Sequence, residues 1–248
     1  MPPQLNRSGN PVMNAFSSQP RALAGERMTL QGAINKSFLL VVVLMATALW
    51  PWSQYAAGDV ASVSSGVLIG VVGGLILALI ITFKATLAPY LAIPYAALQG
   101  LAIGGVSAML EASSQGIAIQ AVALTFAVLA VMLLLYSTRI IRVTQRLRTI
   151  VMVGTGAIAL LYLVSFVLQL FHVSVPLLYS ASPLGIIISL VIIGFAAFNL
   201  LLDFDLIESG VAAGAPRYME WYAGFGLLVT LVWLYLEILR LLSRMRER

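Results

Sequence analysis

Seven long apolar runs, separated by short polar segments, dominate the hydrophobic pattern of this 248-residue chain. A helix needs about 20 apolar residues to cross the hydrocarbon core of a membrane. The last run extends only from Trp221 to Leu236 before Glu237, so a full-length seventh span must contain that carboxylate. The pattern predicts an all-α polytopic membrane protein, a bundle of seven transmembrane helices near 37–57, 61–83, 88–110, 118–138, 149–170, 184–205 and 220–242.

The composition agrees with this prediction and excludes several kinds of site. Hydrophobic residues make up 61% of the chain and charged residues only 9%, against roughly 25% charged in soluble domains. The formal net charge of +5 reports membrane topology in such a chain, so we do not expect nucleic-acid binding. The absence of cysteine excludes disulfides, thiolate metal sites and cysteine nucleophiles.

The two ends of the chain differ from its apolar body. Residues 1–36 are polar, contain four prolines and lack the apolar core and cleavage site of a secretory signal peptide. We expect a flexible N-terminal tail over 1–36, a transmembrane domain over 37–242 and a short basic tail over 243–248.

The positive charges predict the orientation of the bundle, because cytoplasmic loops carry an excess of lysine and arginine. Loops on one side, starting with the N terminus, contain ten such residues, and the opposite loops contain none. This places the N terminus in the cytoplasm. With seven spans, the arginines that end the chain then fall outside the cytoplasm, which violates this rule. Six spans plus a re-entrant C-terminal segment would remove the violation. The ten residues are Arg7, Arg21, Arg27, Lys36, Lys84, Arg139, Arg142, Arg146, Arg148 and Arg217.

Asp203 and Glu237 are the candidate functional carboxylates, because an ionisable group inside a membrane costs on the order of 2.5–3.5 kcal/mol and is by default a functional hypothesis. Asn199 shares a helix face with Asp203, whereas Asp205 points nearly opposite. Asp205 and Glu208 fit a helix end that reaches water, and the same explanation remains open for Asp203.

In the seventh span, Thr230, Trp233 and Glu237 form a polar stripe that Arg240 continues one turn later. Arg240 could neutralise Glu237 as an i,i+3 pair with no further role. Glu220 is expected at the membrane interface, and the single histidine, His172, in an external loop without a role.

Glycines recur every four residues in span two (Gly66, Gly70, Gly74) and again in span three (Gly100, Gly104). Such faces allow helix backbones to approach closely, which predicts that these spans pack inside the bundle.

The sequence contains no motif that indicates an enzyme. The chain has no G-x-S-x-G, no H-E-x-x-H and no phosphate-binding G-x-x-x-x-G-K. A retinal protein would need a lysine within a span, yet Lys36 and Lys84 stand at span ends. We expect neither an enzyme nor a protein-bound cofactor.

Three segments together resemble a known family: YAALQGLAIGGVSAMLE in span three, FNLLLDFDLIE ending span six and VWLYLEILRLL in span seven. From about Thr29 onward the chain resembles the Bax inhibitor family, the transmembrane Bax-inhibitor-motif proteins, in its bacterial branch. The resemblance implies a seven-helix bundle with the C-terminal helix central. It also implies a proton-sensitive calcium leak in the bacterial cytoplasmic (inner) membrane, with a paired-acid switch between spans six and seven.

By motif, the first acid of that switch matches Asp203 and the second matches Glu237, where the family pattern usually has aspartate. Two carboxylates that share a poorly solvated site titrate as a unit and hold one proton between them. On deprotonation they would offer the oxygen ligands that Ca²⁺ prefers, so both are candidate transient calcium ligands. With the predicted span boundaries, Asp203 and Glu237 would lie ~20 Å apart, and longer helices would shorten this distance. Asp203 could instead meet Glu220 or Arg217.

A second function stays open beside the calcium leak. Some bacterial relatives are associated with membrane-protease quality control, which implies a non-conducting regulator of a membrane protease or of a stress response. The polar N-terminal tail is the sequence feature that could bind such a partner. Asn199, Glu220, Asp205 and Arg240 are the supporting residues of the leak hypothesis, whose other partners are the lipid bilayer and calcium or other cations.

Overall fold

The computed structural model describes residues 27–171 and 182–246, and within them it contains seven helices, each long and apolar enough to span a membrane. A 3₁₀ turn at Ala85–Leu87 leads into the third. The prediction of an all-α, seven-span membrane protein is confirmed. The helices are α1 (Leu30–Ala56), α2 (Val60–Phe83), α3 (Ala88–Ser113), α4 (Ile117–Ser137), α5 (Gln145–Leu170), α6 (Pro183–Ala212) and α7 (Met219–Arg246).

Short polar side chains set where the helices begin. The side chain of Thr29 accepts a hydrogen bond from the backbone N–H of Gly32, and those of Asp59, Thr144 and Ser182 cap α2, α5 and α6 in the same way. Such caps satisfy N–H groups that have no partner within the helix. Because Thr29 caps α1, the helix starts inside the region predicted as tail. Residues 1–26 of that tail lie outside the described residues.

The C-terminal helix α7 lies at the centre of the bundle, as the resemblance implied. In its most apolar stretch 56% of the residues are buried, a larger share than in any other described helix. It contacts α1, α3, α4 and α6. A side chain on α7 is therefore placed to meet residues from most of the bundle.

The glycines that recur along one face of α2 and along one face of α3 allow α1, α2 and α3 to pack close together. A Cβ atom built on Gly70 of α2 would lie 2.7 Å from the backbone nitrogen of Ala102, and one on Gly104 of α3 would lie 2.7 Å from the Cα atom of Ala48 on α1. Real side chains essentially never approach so closely. The predicted close packing is present, although the rest of α2 carries many exposed apolar side chains that face the membrane.

Both C-terminal helices are longer than the hydrophobic pattern predicted. Helix α6 continues past residue 205 to Ala212, and α7 continues to Arg246, so the basic segment expected as a tail is helical over 243–246. Arg244 is only 5% exposed and donates hydrogen bonds to the carbonyl oxygen of Gly185 (2.9 Å) and the hydroxyl of Ser189 (2.6 Å). Polar groups of α6 therefore bind Arg244 inside the bundle.

Candidate functional site

Asp203 lies on the face of α6 that packs against the central helix α7. Its carboxyl group lies beside the hydroxyl group of Thr230, and a Cβ atom on Gly226 would lie 4.0 Å from its Oδ1 atom. Asp203 is half-buried as a residue, but its Oδ2 atom is buried and has no hydrogen-bond partner within the described residues. A buried carboxylate oxygen without a partner is costly unless a proton, a cation or water compensates it, which makes this position a functional candidate.

Thr230 has a second contact that bears on Asp203. Its hydroxyl also lies 3.3 Å from the carbonyl oxygen of Gly226, one turn earlier in α7. A threonine hydroxyl has a single proton to donate. Thr230 can give that proton to Gly226 or to Asp203, but not fully to both.

Glu237 forms a separate cluster with one tyrosine and one arginine. Its side chain is 2% exposed. Its Oε1 atom accepts hydrogen bonds from the Tyr162 hydroxyl of α5 and from Nη1 of Arg240 (2.8 Å), and Arg240 also contacts the Tyr162 hydroxyl (2.7 Å). The i,i+3 ion pair considered from the sequence is present. The Oε2 atom of Glu237 is buried and has no partner within the described residues.

The structure does not join Asp203 to Glu237. Asp203 lies beside Thr230, and Glu237 follows seven residues later in α7, about 10 Å further along the helix axis at 1.5 Å per residue. No hydrogen bond connects the two carboxyl groups. The two carboxyl groups thus have separate partners and do not form the expected shared-proton pair here, and a calcium site made of these two carboxylates together stays a prediction. In the part of the chain that the structure describes, no three metal-binding side chains cluster.

Glu220, expected at the interface, is instead a buried anchor at the start of α7. It is 2% exposed and accepts hydrogen bonds from the backbone N–H and the hydroxyl of Thr29, both at 2.9 Å. The Lys36 ammonium group of α1 completes the cluster as an ion pair. Beside it, the Met28 N–H donates to the carbonyl oxygen of Ala215 at 2.7 Å.

We call this set of contacts between residues 27–36 and residues 215–220 the N-terminal latch. Sequence reasoning did not find it, because Lys36 and Glu220 are 184 positions apart. The available signal was topological: the start of α1 and the start of α7 are expected on the same side of the membrane.

Three other polar residues of α6 bind neighbouring helices. Asn199 donates a hydrogen bond to the hydroxyl of Thr155 on α5 (2.7 Å). Asp205 forms an ion pair with Arg148, with only 24% of its side chain exposed, so the expectation of a solvated helix end was wrong for Asp205. Glu208 is 47% exposed, in agreement with that expectation, and pairs with Arg139. Neither Asp205 nor Asn199 reaches the Asp203 carboxyl group.

Comparisons with known proteins add one finding. A family model described as Bax inhibitor 1 like matches residues 10–247. Neither the comparison with curated proteins nor the comparison with solved structures returned a match.

Proposed function

The chain belongs to the Bax inhibitor 1 like family, and we propose that it is a pH-sensitive passive leak for cations, calcium among them, in a bacterial cytoplasmic membrane. Its N terminus would lie in the cytoplasm, and the protein would have no enzymatic activity. The observation that supports the proposal is the buried, unpartnered Oδ2 atom of Asp203 at the interface between α6 and the central helix.

The chemistry of that position suggests how protons could control cation passage. An ionised carboxylate at membrane depth needs compensation, which a proton, a cation or entering water can supply. A protonated Asp203 closes the interface as a neutral group. An ionised Asp203 attracts cations and water to the contact between α6 and α7.

Thr230 links this change of charge to the backbone of α7. An ionised Asp203 is a stronger acceptor than the carbonyl oxygen of Gly226, because hydrogen bonds to charged groups are roughly twice as strong as neutral ones. The Thr230 proton then turns from Gly226 towards Asp203. The backbone around Gly226 loses a contact at a residue that has little intrinsic preference for helix, which favours local opening of α7.

The Glu237 cluster has a different role in this proposal. Arg240 compensates the charge of Glu237, so this cluster attracts cations less than an ionised Asp203 does. Glu237 with its partners Arg240 and Tyr162 then forms a polar cluster that does not change its charge, about 10 Å along α7 from the position of Thr230 and Asp203. The switch of the proposed leak is a single carboxyl group, and Glu237 contributes to the pathway rather than to proton sensing.

Calcium flux into liposomes containing the purified protein tests the proposal. We expect flux to rise from acidic to alkaline pH in the native protein and to lose this dependence in Asp203→Asn, which keeps the shape but cannot ionise. Asp59→Asn is the matched control, because Asp59 caps α2 outside the spans and asparagine caps equally well. Glu237→Gln should change the size of the flux while its pH profile remains. A native pH profile in Asp203→Asn would refute the switch.

A non-conducting regulator of a membrane protease or stress response is the second candidate, and the N-terminal latch favours it. The latch attaches the segment that follows residues 1–26 to the loop between α6 and α7. A partner bound to the N-terminal residues could therefore act on the central helix. Co-purification of a protease with the native chain, lost on deletion of residues 1–25, would support this function if the native protein passes no cations.

A further inference from the structure

A cavity of about 330 Å³ lies between α1, α3, α4 and α7, away from Asp203 and Glu237. On α1 it is lined by residues from Val41 to Trp52, and on α4 by residues from Ala118 to Phe126. These are the second half of α1 and the first half of α4, so the cavity occupies the half of the bundle opposite the N terminus. With the N terminus in the cytoplasm, as proposed above, this half lies in the outer leaflet.

The cavity faces the membrane between α1 and α4. These two helices form no extensive contact with each other, although both pack against α3 and α7. At this level of the bundle the surrounding medium is lipid hydrocarbon. Molecules dissolved in the membrane can therefore approach the cavity from the side.

The lining side chains are apolar except for three hydroxyl groups and the indole N–H of Trp52, and none of the described lining residues carries a charge. One hydroxyl, that of Thr125, donates to the carbonyl oxygen of Ala121 within its own helix (2.7 Å). The other two, from Ser107 of α3 and Tyr235 of α7, are hydrogen-bonded to each other at 2.7 Å and are 3% and 8% exposed. They provide a polar point within an apolar space.

The direction of the hydrogen bonds decides what this polar point can bind. Ser107 donates its only proton to the carbonyl oxygen of Ile103 at 2.6 Å. Tyr235 must then be the donor in the bond between the two hydroxyls, which leaves the Tyr235 oxygen with acceptor capacity. A bound molecule satisfies this oxygen by donating a hydrogen bond.

The walls exclude charged ligands, because a charge would lose its hydration without gaining a partner. The volume lies near the lower end of the roughly 300–1,000 Å³ range of small-molecule pockets, which suits a short chain. We propose that this cavity binds an uncharged, chain-like alcohol that enters from the membrane between α1 and α4 and donates its hydroxyl proton to Tyr235.

Photolabelling of the full-length protein in phosphatidylcholine vesicles tests the proposal. The probe is octanol carrying a diazirine, and the matched probe is octane carrying the same group without the hydroxyl. We expect octanol to label the cavity segments of α1 and α4 roughly fivefold more than octane does, the factor that one neutral hydrogen bond provides. Tyr235→Phe should reduce labelling by octanol to the level of octane. Tyr95→Phe, a buried tyrosine that does not line the cavity, should change neither.

Variants that fill the cavity with a larger side chain distinguish labelling by a probe bound in the cavity from labelling by a probe that touches the lipid-facing helices at random. Val122→Trp places a large ring in the cavity, whereas Ala123→Trp adds the same ring at the exposed neighbouring position. The first should abolish labelling of the cavity segments by both probes, and the second should leave it unchanged. Ala118→Leu is a milder filling variant if Val122→Trp does not fold.

Four results would overturn the inference. Equal labelling by octanol and octane, or native labelling of Tyr235→Phe, would show that the hydroxyl is not recognised. Labelling spread evenly over the lipid-facing helices, or unaffected by both filling variants, would show that the cavity binds no alcohol.

Discussion

The N-terminal latch makes Glu220→Gln a demanding test of the structure. In the native protein the Oε1 atom of Glu220 accepts both hydrogen bonds from Thr29, and Oε2 pairs with Lys36. Glutamine keeps one acceptor oxygen for Thr29 but replaces the second oxygen with an N–H₂ group. That group is a donor facing the Lys36 ammonium group, which is itself a donor.

The free-energy cost of Glu220→Gln depends on how deeply the ion pair with Lys36 is buried. Removing one partner of a buried ion pair costs about 3–5 kcal/mol, because the remaining charge is left uncompensated. The Lys36 side chain is 17% exposed and lies 5.6 Å from the centre of the Trp221 ring, so part of its charge remains stabilised. We therefore expect a cost near the lower limit, about 3 kcal/mol, which corresponds to roughly a 100-fold change in the opening equilibrium.

Hydrogen exchange measured on a peptide that covers residues 27–35 reports this opening directly. The Thr29 N–H is hydrogen-bonded to Glu220 and the Met28 N–H to Ala215, so both amides exchange when the latch opens. Glu220→Gln should accelerate their exchange about 100-fold. Glu208→Gln is the matched control, because its ion pair with Arg139 is exposed and worth about 0–1 kcal/mol.

A double-mutant cycle with Lys36→Met isolates the ion pair from the other contacts of the latch. The double variant should be more stable than the sum of the two single losses predicts, by at least about 1 kcal/mol, because it leaves no unpaired charge. Losses that add within about 0.5 kcal/mol would show that Lys36 and Glu220 are not coupled and would refute the reasoning.

Three further predictions test other parts of the fold. Gly70→Leu should destabilise the protein by at least about 1–3 kcal/mol through overpacking between α2 and α3, whereas Gly156→Ala, at a position with no atom within 4 Å of the new Cβ, should preserve or raise the midpoint of thermal unfolding. Ser189→Ala should cost about 1–3 kcal/mol in the same assay, because it removes an acceptor from a buried guanidinium; a cost below about 0.5 kcal/mol would contradict this contact. The hydrogen bond from Ser62 lowers the pKa of Asp59. The ionised Asp59 cap should therefore stabilise α2 at pH values above the unfolded pKa, and this stabilisation should be lost as pH falls through the folded pKa. An NMR titration midpoint of Asp59 at or above the ordinary aspartate value would contradict this prediction.

The helices and their number were predictable because the signals are local. A run of apolar residues has the length to cross a membrane regardless of its neighbours. The boundaries were less predictable: α1 begins early because Thr29 caps it, and α7 continues through Arg244 because α6 supplies hydrogen-bond acceptors at Gly185 and Ser189. Hydropathy alone does not register a cap or an acceptor on another helix.

The candidate site was predictable as residues but not as contacts. Asp203 and Glu237 stood out because carboxylates are costly inside a membrane. Their partners depend on how far one helix is shifted and rotated against the next, and a change of one residue moves a side chain by 1.5 Å along the axis and 100° around it. The same uncertainty hid the pairing of Asp205 with Arg148.

The sequence by itself therefore determined the class of protein, the seven spans and the short set of acids worth considering. Only the tertiary structure decided that Asp203 meets Thr230, that Glu237 meets Arg240 and Tyr162, and that Glu220 fastens the start of α1 to the start of α7. The physical reason is that apolar length and composition belong to each segment separately. Hydrogen bonds and ion pairs act over only a few ångströms, so they depend on the relative position of segments far apart in the chain.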